Sequence, residues 1–330
     1  MRFRGLLISI FLLLLPMAAL EAQETDMPLL VQLPQAEALE AAVEEVTSNS
    51  IRVKWNPPAG QKNVKISVSA EAPAGGLFAV ECSRTVAELN GPRVSYEIGK
   101  LAPGVDVFIL VEAGTGRKNF AAYLHARTAG GSGADLSSPV REVYMAAPDV
   151  LAVVLSGGDG QHLQNSKWSV ALRDGTQLGI LKVGRWSVPV SAPEYFIGVG
   201  KPNRNDVILA DHHLFLHLER KIGNREVLDI KGPSGINFLL PFSDRYLQTP
   251  VIQVNQVGYN PWAGRRYAYI YSYMGDGGAS SLENFPSMCS LVREYDDPLV
   301  GRPTIFDNLK ISERSRYDDL TARLRASDER

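Results

Sequence analysis

An all-β fold, organised as several β-sandwiches in tandem, is what this 330-residue sequence predicts. Short runs alternating apolar and polar residues recur at intervals of about ten residues, the pattern of sandwich strands. The 29 glycines and 20 prolines punctuate those runs at turn positions. No long helical periodicity runs through residues 141–249. Hydrophobic residues make up 45% and charged residues 21%, enough apolar surface to bury real cores. The formal charge of −2 supplies no basic field, which excludes nucleic acid and an anionic membrane surface as expected partners. Cys82 and Cys289 fall in different predicted modules, so they read as two core thiols rather than a disulfide framework.

The first 22 residues read as an export signal. Arg2 and Arg4 form a positive head, residues 6–15 are apolar apart from Ser9, and Pro16 ends the run. Leu20-Glu21-Ala22 then offers a small residue at a cleavage point. The run is half of the ~20 residues that a membrane-crossing helix needs. No cysteine follows it to carry a lipid, and no later segment is long and apolar enough to span a membrane. The expected product is secreted or extracytoplasmic, the alternative being a retained anchor. Residues 23–40 follow as a poorly ordered lead-in.

Residues 41–128 alternate clearly. Ile51, Val53 and Trp55 share one strand face, Asn56-Pro57-Pro58 breaks the strand, and residues 64–70 resume the alternation. The run from Ile51 to Pro58 resembles the second strand of a fibronectin type III module. Leu101-Ala102-Pro103-Gly104 resembles the turn before that module's sixth strand. The tyrosine that the family places shortly after this turn is Val107 here, so its tyrosine corner is absent. The resemblance implies a spacer or binding unit and no chemistry. Residues 129–140 are a flexible Gly/Ser linker. Residues 141–249 form a second β-rich, immunoglobulin-like unit, with Arg173-Asp174-Gly175-Thr176 as a hairpin turn whose Asp-Gly pair tolerates positive φ.

A third unit spans residues 250–311. Val254, Asn255, Gln256, Val257, Gly258 and Tyr259, followed by Arg265-Arg266, resemble the opening of the N-terminal immunoglobulin-like module of family 9 glycoside hydrolases, the cellulase group. In that family the module sits beside an α/α barrel that cleaves β-linked glucans. Too few residues follow Tyr259 to hold the barrel, so truncation, a shifted reading frame or a stand-alone variant ending are the readings. Residues 312–330 form a charged tail, with a solvated helix expected over 320–326 rather than a core strand. The resemblances together predict tandem immunoglobulin-like/fibronectin-like β-sandwiches.

Tyr267, Tyr269, Tyr271 and Tyr273 repeat at period two, placing four rings on one strand face, with Trp262 just before them. Three readings stay open for them: ordinary core or surface, contact between modules, or a platform for sugar rings. His212, His213 and His217 lie on an alternating strand, where four residues span ~13 Å, too far for two ligands of one zinc. Asp296-Asp297 is a candidate calcium pair, the bland reading being a loop, and no other cofactor is indicated. No Gly-x-Ser-x-Gly elbow occurs, and the glycine clusters at 157–160 and 275–278 read as turns. The expected function is a secreted, non-catalytic protein acting in polysaccharide degradation as spacer, docking unit or glycan contact. Its partners would be a polysaccharide or a glycoside hydrolase catalytic domain. The alternative is an extracellular adhesion or scaffold protein that binds other proteins.

Overall fold

The computed structural model describes residues 30–31, 36–73, 78–79, 82–130, 139–156, 160–189, 210–254, 262, 267–286, 288–293, 304–313 and 322–325. The fold is all-β, with tandem fibronectin-like and immunoglobulin-like sandwiches. The first ten strands are β1 (Leu30–Val31), β2 (Glu37–Ala38), β3 (Ala41–Val46), β4 (Ile51–Trp55), β5 (Asn63–Ser69), β6 (Phe78–Ala79), β7 (Ser83–Asn90), β8 (Ser95–Ile98), β9 (Asp106–Gly114) and β10 (Asn119–Arg127). Sheet β3-β4-β8 packs on sheet β2-β10-β9-β5-β7, and β1 pairs with β6. Ile51, Val53 and Trp55 are buried against Val64, Ile66, Val107, Ile109 and Val111. Each such aliphatic side chain contributes about 1.5–3 kcal/mol through burial.

Two details depart from expectation. The lead-in is tied down at its end: Glu37–Ala38 runs parallel to β10, and Leu39 is buried with its N–H donating to the Ala121 carbonyl at 2.9 Å. The outer edge of β10 supplies the backbone partners, the Ala121 carbonyl among them, and one apolar side chain supplies the anchor. The missing tyrosine corner is replaced by Thr128. Its buried hydroxyl donates to the Ala102 carbonyl at 2.7 Å and accepts from the Val105 N–H at 2.9 Å, closing the same turn from the end of β10.

The second unit contains β11 (Val140–Ala147), β12 (Val150–Ser156), β13 (Ser169–Ala171), β14 (Gln177–Leu178), β15 (Ile180–Pro189), β16 (Ala210–Leu218), β17 (Glu226–Lys231) and β18 (Asn237–Phe242). Sheets β11-β12-β16-β15 and β14-β13-β17-β18 face each other across Leu151, Val153, Leu214 and Leu216 on one side and Val170, Leu228, Ile230 and Leu240 on the other. The expected hairpin forms between β13 and β14, but only Gly175 takes positive φ, at 88°. Asp174 instead accepts the Thr176 N–H at 2.9 Å. After β14 the chain crosses to the opposite sheet at Gly179, where a Cβ would meet the Glu219 carboxylate at 2.5 Å.

The two units share one continuous apolar core. Lys100, at φ 58°, presents its carbonyl to the Leu239 N–H at 2.6 Å, and the Leu239 carbonyl accepts the Ala102 N–H at 2.8 Å. Buried Glu71 accepts a hydrogen bond from Ser243 at 2.7 Å and pairs with Arg225 at 3.4 Å. Although residues 131–138 of the expected linker lie outside the described residues, the sandwiches on either side are fastened together rather than strung loosely.

The last unit is a five-stranded sheet in the order β19 (Ile252–Gln253), β20 (Tyr267–Ile270), β23 (Ala322–Arg325), β22 (Thr304–Glu313), β21 (Met288–Arg293). The helix expected over 320–326 is corrected: Ala322–Arg325 is an interior strand between β20 and β22. Charge density argues against a strand only through its side chains. Ala-Arg-Leu-Arg alternates at period two, and pairing on both edges satisfies the backbone whatever the charge.

The Thr128 turn makes a direct prediction. Thr128→Val strands two buried backbone groups and should lower stability by about 1–3 kcal/mol in urea unfolding, while Thr128→Ser should restore most of it. An unchanged midpoint for the valine variant would contradict this role.

Candidate functional site

β20 ends at Ile270, yet the period-two alternation of exposure continues to residue 274. Ile270, Ser272 and Met274 are buried, whereas Tyr269, Tyr271 and Tyr273 are 37%, 38% and 40% exposed. The cause is docking. The outer face of sheet β11-β12-β16-β15 carries Tyr144, Ala152, Val154 and Phe215, and Met274 inserts among them with Phe285 alongside. The Ser272 hydroxyl donates to the Ala146 carbonyl at 2.6 Å, and Thr249 donates to the Met145 carbonyl at 2.7 Å. The buried contact with the second unit is therefore made by the face opposite the tyrosines, which leaves the tyrosine face partly exposed.

The glycine cluster expected as a turn is part of this seam. Gly275–Gly277 forms a single 3₁₀ turn laid against β15, with the Asp276 carboxylate accepting the Arg185 N–H at 2.6 Å. Gly275 has φ 59°, and a Cβ there would run into the Arg185 carbonyl, so the close approach needs glycine twice over.

One aromatic residue escaped the sequence reading. Trp186 of β15 is 40% exposed, and its ring meets Tyr273 edge-on, centroids 6.1 Å apart at 79°. It also lies 5.2 Å from the His213 ring, which in turn bonds the Tyr144 hydroxyl through Nδ1 at 3.1 Å. Tyr269, Tyr271, Tyr273 and Trp186 thus form an exposed ridge that crosses the seam between two units. Trp186 stands in an alternating run, but nothing in that run reveals that another strand ends beside it. Trp262 is 92% exposed, and Val254 is exposed. Asn255, Gln256, Val257, Gly258, Tyr259 and the Asp296-Asp297 pair lie outside the described residues, as does the side chain of Tyr267.

The histidines occupy a strand, β16, and its alternation separates them. Leu214, Leu216 and Leu218 face the sandwich core, with His212 on the same side at the strand's start, where its Nδ1 meets the Ser187 hydroxyl at 2.7 Å. His213 and His217 lie on the outer face, which is half-covered by the docked segment. Burial holds both imidazoles below their ordinary pKa; at His213 Asp211 opposes the shift, and at His217 Lys182 adds to it while Asp149 and Asp276 oppose it. Burial and Asp211 together push the Glu142 carboxyl up. No group of three or more metal-ligating side chains occurs among the described residues.

No family model matches this chain, and no curated protein does. Solved structures similar to it include a fibronectin type III domain from human KIAA0970 protein (12% identity, 31% of this chain and 80% of that one, TM-score 0.24). Another is the central fibronectin III array of RIM-binding protein (15%, 64% and 63%, 0.20). A third is chitinase ChiA74 from Bacillus thuringiensis (12%, 65% and 29%, 0.20). The chain therefore spans less than a third of that chitinase's length, and with scores this low the fold assignment stands on the strand order above.

The histidines under the seam make stability pH-dependent. Their folded pKa values lie below the ordinary ~6.5, so the unfolded chain takes up protons first. Stability is full above ~6.5 and falls as pH drops from there toward the lowered folded values. The melting temperature should fall between pH 7.5 and 5.5, and His217→Gln should flatten part of that slope. A flat profile in the wild type would refute the assignment.

Proposed function

We propose that this is a secreted, non-catalytic spacer and glycan-contact protein of polysaccharide degradation, related to the region that precedes the catalytic domain in family 9 glycoside hydrolases. The observation that carries this reading is the exposed ridge of Tyr269, Tyr271, Tyr273 and Trp186. Aromatic faces stack on the apolar faces of sugar rings while phenolic hydroxyls reach their rims. The opposite face of the same segment is consumed by docking, so the ridge is held on a rigid base. The fastened seam between the first two sandwiches suits a spacer that keeps its reach. The motif from Val254 to Tyr259 supports the family 9 relationship.

Affinity electrophoresis in gels containing soluble β-glucans, together with retention on insoluble cellulose, tests the reading. Wild-type protein should be retarded, and Tyr269→Ala combined with Tyr271→Ala, or Trp186→Ala alone, should weaken binding about tenfold, equivalent to about 1.4 kcal/mol. Reducing-sugar assays on the same glucans should show no turnover. Absent or unaltered retention would favour the adhesion or scaffold reading, and clear turnover would overturn the non-catalytic one.

A further inference from the structure

A groove of about 530 Å³ lies where the first two sandwiches meet, between edge strands β7 and β8 of one and strands β17 and β18 of the other. Three cationic side chains, Arg84, Lys100 and Lys231, line it against one carboxylate, Asp229. That carboxylate is shared: it lies 3.4 Å from Arg84 Nη2 and 3.7 Å from Lys231 Nζ. A second guanidinium nitrogen, Arg84 Nη1, is buried and has no hydrogen-bond partner among the described residues. Lys100 makes no ion pair among the described residues. The left-handed turn that places it is held by the Lys100 carbonyl bond to Leu239, so its backbone is fixed by the seam itself.

We propose that this groove binds an acidic oligosaccharide, with the carboxylate of a uronate residue taken by Lys100 and Lys231 beside the Arg84–Asp229 pair. Excess positive charge in a concave, partly desolvated site attracts an anion more strongly than the same charges on an open surface. The remaining lining suits a sugar: Tyr96 offers an aromatic ring, and Asn237 offers an amide able both to donate to and accept from hydroxyls. The volume fits a segment of two or three sugar rings, within the usual range for ligand sites. The site is separate from the aromatic ridge and does not depend on it.

Isothermal titration of the full chain tests this, with trigalacturonate as probe, a neutral galactose trisaccharide as control and polyglutamate as a competing anion. The expected result is saturable binding of the uronate, weakened at least tenfold by Lys100→Gln or Lys231→Gln and by raising salt from about 50 to 500 mM, with no binding of the neutral sugar. Arg84→Gln, which removes a groove cation and releases Asp229, should also weaken binding, with circular dichroism reporting whether the fold survives; the lysine variants keep the test decisive if it does not. Tyr271→Ala should leave uronate binding unchanged, and Lys231→Gln should leave β-glucan retention unchanged, so either site can fail without the other. Equal binding of the neutral sugar, polyglutamate binding without uronate binding, or no saturable heat would each overturn the proposal.

Discussion

β12 is buried on both faces over six consecutive residues. Leu151, Val153 and Leu155 look into the sandwich, while Ala152 and Val154 look outward to the patch that receives Met274 and Phe285. An antiparallel strand ordinarily keeps one face wet. Giving both faces to packing turns the second unit into the hub of the molecule, because its inner face makes its own core and its outer face seats the third unit. The tyrosine ridge and the covered histidines follow from that seating, since whatever the docking face takes in, the opposite face must leave out.

The second constraint is the seam between the first two sandwiches. Its backbone bridge at Leu101 and Leu239 and the buried Glu71 form a junction whose geometry is specified by hydrogen bonds. Buried charge is weak as a source of stability but strong as a selector of one arrangement, because a shifted interface leaves the carboxylate unpaired. Glu71 meets both Ser243 and Arg225, and Arg84 meets Asp229. These polar contacts make a fixed cleft where a loose linker would have left an open hinge.

Ridge and groove differ in the ligand chemistry each can hold. The ridge is aromatic and exposed, suited to a flat, uncharged sugar face. The groove is concave and cationic, suited to a charged one. On the two proposals above, a pair of sites on one chain raises avidity without needing tight binding at either.

Much of the fold was legible from local pattern alone. Ile51-Arg52-Val53-Lys54-Trp55 alternates with its burial, Leu214, Leu216 and Leu218 enter the core as their spacing requires, and Asp174-Gly175 makes its turn. These succeed because period-two burial and turn chemistry depend on neighbours along the chain. What depended on residues far away was hidden. Thr128 closing the turn that a tyrosine was expected to close, Ala322–Arg325 entering a sheet despite its charge, and Trp186 meeting Tyr273 all involve partners separated by many residues. The period-two placement of the tyrosines was determined by sequence. Their exposure, and the cationic groove at the seam, were decided by which sheet face another part of the chain came to cover, and that is a property of tertiary packing alone.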